Sequence, residues 1–142
     1  MKLSLAEIQA RFERSPFISF LGLVVLEADH AAGTIKIRLP MRPEFERQAN
    51  ADQIHGGVIS ALIDTVGDYA LIMTAGVGIP TINFRTDFLS PAKPGALIAT
   101  AIVRKYGRSI SVVDIEVRDQ SDRLIAVGRG TYSTAVAAKP PA

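Results

Sequence analysis

The chain has no cysteine and no tryptophan among its 142 residues, and only two histidines, His30 and His55. Without cysteine there is no disulfide framework, no thiolate zinc site and no thiol nucleophile, a composition that suits a reducing compartment. The two histidines stand far apart with no matching ligand spacing, so no metal centre is expected. An excess of one charge is missing too. Sixteen basic against fourteen acidic side chains leave +2, and aromatic residues make up only 6%, too little for the basic, aromatic-interleaved surface of a nucleic-acid binder. Glu7, Arg11, Glu13 and Arg14 interrupt the start, where a signal peptide needs an unbroken apolar core. No apolar run is read as reaching transmembrane length. The expectation is a cytoplasmic protein with neither a nucleic-acid nor a membrane partner.

What is present is apolar material: 48% of the residues, in a chain long enough to close one core. Ser4 followed by Glu7 is a capping box, and Leu5, Ile8 and Phe12 then recur at helical spacing until Ser15-Pro16 stops the run. "FLGLVVLEADHAAGTIKIRL" reads as two strands around a turn at His30 to Gly33. Residues 40–54 are polar and aperiodic, and a connection of that length points to a functional loop. The run from His55 to Met73, "HGGVISALIDTVGDYALIM", has helical spacing. Beyond it four β-rich segments are separated by "PAKPG", "YGR" and "QSDR", turns too short for parallel crossovers. The layout is α+β: a short N-terminal helix and a long apolar helix against an antiparallel sheet of about six strands. One helix leaves sheet edges uncovered, so a dimer that extends the sheet is expected.

The long helix carries residues that a plain core helix does not need. Gly57, Ser60, Ala61, Asp64, Gly67, Asp68 and Leu71 fall on one stripe, small and acidic, while the other positions are apolar. A carboxylate among apolar neighbours is costly unless it is used or paired, and its pKa tends to rise, which favours a site at Asp64. The alternative is that Asp64 and Asp68, one turn apart, form a solvated face. His55-Gly56-Gly57 opens the helix, where free N–H groups and the dipole can hold an anion or a polarised carbonyl oxygen. The same tripeptide could simply turn a loop into a helix.

Taken together, His-Gly-Gly, an aspartate nine residues after the histidine, a threonine before "FRTDFLSPAKPG", and the ending "GRSISVVDIEVRD…RLIAVGRGTY" resemble one family. They are similar to the hotdog-fold acyl-CoA thioesterases of the phenylacetate-degradation and 4-hydroxybenzoyl-CoA thioesterase group, over roughly residues 17–132. The resemblance implies a hotdog fold, the sheet wrapped around the long helix, in a single domain over residues 1–134; the small, Pro-rich tail at 135–142 is expected to be disordered. It implies hydrolysis of an acyl-CoA, aryl-acyl or medium-chain, with no cofactor beyond the coenzyme A of the substrate, in a homodimer that pairs into a homotetramer.

Carried over by position, the oxyanion-holding glycine falls on Gly56, with Gly57 beside it and His55 orienting the loop or thioester. The catalytic carboxylate falls on Asp64, and the hydroxyl that places water or carboxylate falls on Thr81. Relatives often have Asn or Gln six residues before the histidine. Here that position is Ala49, so Asn50 is taken for the role, with Gln48 and Gln53 as rivals. Arg104, Lys105 and Arg108, with Lys93, are the candidates for the phosphates of coenzyme A, against the reading that they are ordinary turn charges.

Gly56 and Asp64 are eight residues apart, about 12 Å along one helix, too far to touch a single thioester within one chain. The carboxylate is then expected from an antiparallel partner helix. Whether Asp64 would act as base or nucleophile stays open. Two other functions share the fold: a non-catalytic acyl-CoA-binding protein, which would have no use for Asp64, and a hydratase or dehydratase, whose histidine and acid are arranged differently.

Overall fold

The computed structural model describes residues 2–138. Helix α1 (Leu5–Arg14) begins where the capping box places it: the Glu7 N–H donates to Ser4 Oγ, and the Ser4 N–H donates to Glu7 Oε2. It ends at Ser15, but the chain does not then pass into a strand. Pro16 instead starts a second short helix, α2 (Pro16–Leu21), closed by Gly22 at φ 69°. A proline at the first helical position loses no hydrogen bond, so the residue that stops one helix starts the next.

Strands β1 (Val24–Asp29) and β2 (Thr34–Leu39) form the expected hairpin. Helix α3 (Gly56–Ala75) follows, then β3 (Thr81–Phe88), β4 (Leu97–Lys105), β5 (Ile110–Asp119) and β6 (Leu124–Ser133). All pairings are antiparallel in one six-stranded sheet of order β1-β2-β4-β5-β6-β3. Helix α3 lies on one face, where Leu62, Ile63, Val66 and Met73 bury against Ile37, Ala99, Val113 and Ile115. Small residues make the close approach. A Cβ at Gly128 would run into Ile63 of the helix, and one at Gly67 or Gly130 would run into the buried Tyr132.

The N-terminal segment is tied to the far end of α3. Phe12 packs edge-on to Tyr69 at 4.7 Å, and Arg11 donates to the Gly76 carbonyl at 2.7 Å, supplying the positive charge that a helix C-terminus favours.

Two expectations need correcting. Helix α3 is, by length and composition, long and apolar enough to cross a membrane, because two aspartates in twenty residues do not interrupt it sufficiently. It is instead the core helix of the sheet, with 56% of its most apolar window buried. The tail was expected to lose structure from residue 135, yet a 3-10 turn spans Thr134–Ala138. It is anchored by a donation from Thr134 Oγ1 to the Gly107 carbonyl at 2.6 Å; residues 139–142 lie outside the described residues.

Candidate active site

The start of α3 is pinned before it begins. The Ile54 N–H donates to the Ala92 carbonyl at 2.7 Å and the His55 N–H to the Phe45 carbonyl at 2.8 Å. His55 then caps the helix, its Nδ1 accepting from the Gly57 N–H at 2.8 Å. This bond separates two glycines that the sequence left as alternatives. The Gly57 N–H is used within the cap, whereas Gly56 lines a cleft of about 290 Å³ with Gln53, Ile59 and Phe88. A Cβ on Gly56 would stand 3.1 Å from the Phe88 ring, so glycine is what lets the ring close over the helix start.

Further along the helix, Asp64 is half-buried, and its Oδ1 accepts from Thr81 Oγ1 at 2.9 Å. The threonine stands on the first residue of β3, on the outer edge of the sheet, and fixes one oxygen of the carboxylate while Oδ2 remains for other work. Behind this pair, Tyr132 from β6 is wholly buried and donates to the Asp64 carbonyl at 3.3 Å, packing in the space that Gly67 leaves. Burial, with the Asp64 and Asp68 charges adding to it, pushes the Tyr132 phenol far up, so it stays a donor.

One turn further on, Asp68 is equally half-buried but has one carboxyl oxygen shut off from solvent. Its Oδ1 has no hydrogen-bond partner among the described residues, and burial first, then the Asp64 charge, push the Asp68 carboxyl up to about 7. Helical periodicity put the two aspartates on one stripe but carried no information on depth. Gly67 and Leu71 of that stripe are fully buried.

The remaining candidates are not all brought together. Asn50 lies exposed in the loop with φ 60°, a left-handed conformation that asparagine tolerates, and its N–H donates to Glu46 Oε2 at 3.0 Å. Gln53, its rival, is the amide that lines the cleft beside Gly56.

Lys93 is exposed next to Ala92, close to the helix start. Arg104, Lys105 and Arg108 lie at the opposite end of the sheet, because Lys105 pairs with Val112 and the neighbouring strands carry that level across to Thr131 and Asn83, beside Thr81. Arg104 is also not free: its Nε binds Asp114 Oδ2 at 2.8 Å, and Arg129 holds the other oxygen at 2.6 Å. Arg129 chiefly, with Arg104, keeps the Asp114 carboxyl below the usual carboxylate range. Phe88 was missed by sequence reasoning; its one signal was the apolar pair Phe88-Leu89 just before Ser90-Pro91.

The thioesterase-superfamily model matches residues 53–126, the stretch that runs from the cleft through Asp64 and Thr81 to β6. The chain belongs to the thioesterase superfamily. Human acyl-coenzyme A thioesterase 13 is 30% identical over 135 residues, covering 92% of this chain and 94% of that protein. Among solved structures, the E. coli PaaI protein from the phenylacetic acid degradation operon superposes with a TM-score of 0.79 at 27% identity, covering 92% of this chain and 95% of that one. Zebrafish thioesterase superfamily member 2, at 23% identity, shares the fold with a TM-score of 0.82 over 94% of this chain and the whole of that one. As a thioesterase-superfamily hotdog domain the protein is a thiolester hydrolase.

Proposed function

We propose that this thiolester hydrolase cleaves an acyl-CoA, aryl-acetyl or medium-chain, at a site completed by a second copy of the chain. The observation that carries the reading is the Thr81–Asp64 hydrogen bond at the sheet edge, eight residues down the same helix from the Gly56 cleft. One chain therefore offers half of a site at each place. An antiparallel partner would bring its Asp64 to this Gly56 and the reverse, giving two equivalent sites per dimer. The unpaired edge of β3 supports such pairing: Ile82, Phe84 and Phe88 are exposed along it, which is unusual for an edge that stays free.

In the proposed reaction the thioester carbonyl oxygen accepts from the Gly56 N–H, which stabilises the negative charge as it develops. Asp64 of the partner subunit, its Oδ1 held by Thr81, takes a proton from water on Oδ2 as the water oxygen adds to the carbonyl carbon. The tetrahedral intermediate collapses, the C–S bond breaks, and the proton passes to the departing CoA sulfur. His55 and Gly57 keep the helix start in shape, and Gln53 takes the amide role in preference to Asn50. Antiparallel pairing also brings the partner's Lys105 and Arg108 to the end that carries Lys93, so three cations could bind the phosphates without Arg104. A homotetramer of such dimers and a cytoplasmic setting belong to the same proposal.

The test is release of free CoA from a panel of aryl-acetyl, benzoyl and straight-chain thioesters by wild type and by Asp64→Ala. Turnover by wild type that is nearly abolished in a folded Asp64→Ala protein supports the reading. Turnover that survives the substitution removes Asp64 from the mechanism.

A further inference from the structure

Asp68 is a second carboxyl whose buried Oδ1 has no hydrogen-bond partner among the described residues. It follows Asp64 by one helical turn, about 6 Å along the axis, on the same stripe of α3. The two are held differently. Asp64 Oδ1 accepts from Thr81, while Asp68 Oδ1 is shut off from solvent and accepts from no group among the described residues. The titratable groups around it do not relieve this. Tyr132, facing it from β6, spends its proton on the Asp64 carbonyl; Tyr69 is its neighbour on the helix; Arg11 of α1 acts on Tyr69 and donates to Gly76. Asp64 is the charge that bears on Asp68, and it is of like sign. A buried anion beside a second anion is resolved most cheaply by a proton.

We propose that Asp64 and Asp68 act as a carboxylate pair in which Asp68 holds a proton, and that release of this proton strengthens Asp64 as the base in thioester hydrolysis. The inference rests on the role given to Asp64 above. Asp68 is a positioning residue: it works through its charge on Asp64. Its proton leaves to solvent before the cycle begins, so the hydrolysis itself balances as written: water's proton to Asp64, C–O formed, C–S broken, proton to sulfur. Burial and the Asp64 charge set this release near neutrality, at about 7.

Two readouts on the intact protein test it. Carboxyl carbon-13 NMR of aspartate-labelled wild type and Asp68→Asn, titrated from acid to alkaline pH, reads the proton without turnover. The expected result is one carboxyl titrating near neutrality in wild type and missing in Asp68→Asn. In parallel, kcat/KM on phenylacetyl-CoA should rise roughly three- to tenfold through that pH in wild type, the effect of a unit charge one turn from the base. Asp68→Asn, neutral at every pH, should stay level at the acid-side value of wild type.

The proposal is overturned if every carboxyl titrates in the acid range, if the near-neutral one persists in Asp68→Asn, or if the two rate profiles run parallel. A wild type that turns over no thioester, with the titration still as expected, counts against the proposed function and overturns the catalytic half of the proposal, leaving only the proton on Asp68.

Discussion

Replacing Asp68 by asparagine should stabilise the protein in alkali and not in acid. In the folded chain burial, and secondly Asp64, raise this carboxyl from 3.8 to about 7, so the folded state holds a proton that the unfolded chain has released. Below about pH 4 both states carry the proton and the group is neutral to stability. Between 4 and 7 stability falls as pH rises, because the folded state binds more protons than the unfolded one. Above 7 the cost is complete. Three pKa units at 1.36 kcal/mol each set it at roughly 4 kcal/mol, an upper bound since solvent relaxation reduces it.

The side chain introduced by Asp68→Asn never ionises. Any amide hydrogen bond that it fails to make costs the same at all pH values, so the slope carries the information and the offset does not. At about 2–4 °C per kcal/mol for a domain near this size, the advantage of Asp68→Asn in Tm should grow by roughly 10 °C between pH 4.5 and pH 9. Calorimetric melts of both proteins at five pH values measure it. A Tm difference that does not change with pH would refute the burial argument.

Other substitutions read the remaining contacts. Thr81→Val removes the donor to Asp64 and should lower kcat about tenfold or more with little change in melting, while Thr81→Ser restores most of it; steady-state kinetics of the pair decide. Gly67→Ala drives a methyl into the Tyr132 hydroxyl and should cost about 1–3 kcal/mol in urea unfolding. Phe88→Ala opens the cleft beside Gly56 and should change KM across acyl chain length more than it changes kcat for the best substrate, as a thioester panel would reveal.

Much of this arrangement could be read from residue order. The Ser4–Glu7 box, the turns at "PAKPG" and "QSDR" and the alternation of Ile35 with Ile37 are local signals, and the helix and strands stand where they point. The closeness of Thr81 to Asp64 was carried by resemblance alone, since a contact across seventeen residues has no local signature. Depth was harder. The period of α3 put Asp64 and Asp68 on one stripe, yet which of them has an oxygen shut off from solvent depends on how the helix seats against the sheet. The cations failed in the same way: Arg104 looked free beside Lys105 until the β4–β5 register set Asp114 against it. The loop showed a further limit, because counting back from His55 favoured Asn50, whereas the path of the chain turned Gln53 into the cleft.

The central claim is that each site takes its glycine from one subunit and its carboxylate from the other. Mixing two variants tests it most directly. Gly56→Val and Asp64→Asn, each inactive alone, are unfolded together and refolded in equal amounts, with mixed dimers counted by native mass spectrometry. If the site is shared, half of the dimers are mixed and each of these holds one intact site, so about a quarter of wild-type activity should return. If each chain supplied both groups to its own site, the mixed dimers would form and no activity would return.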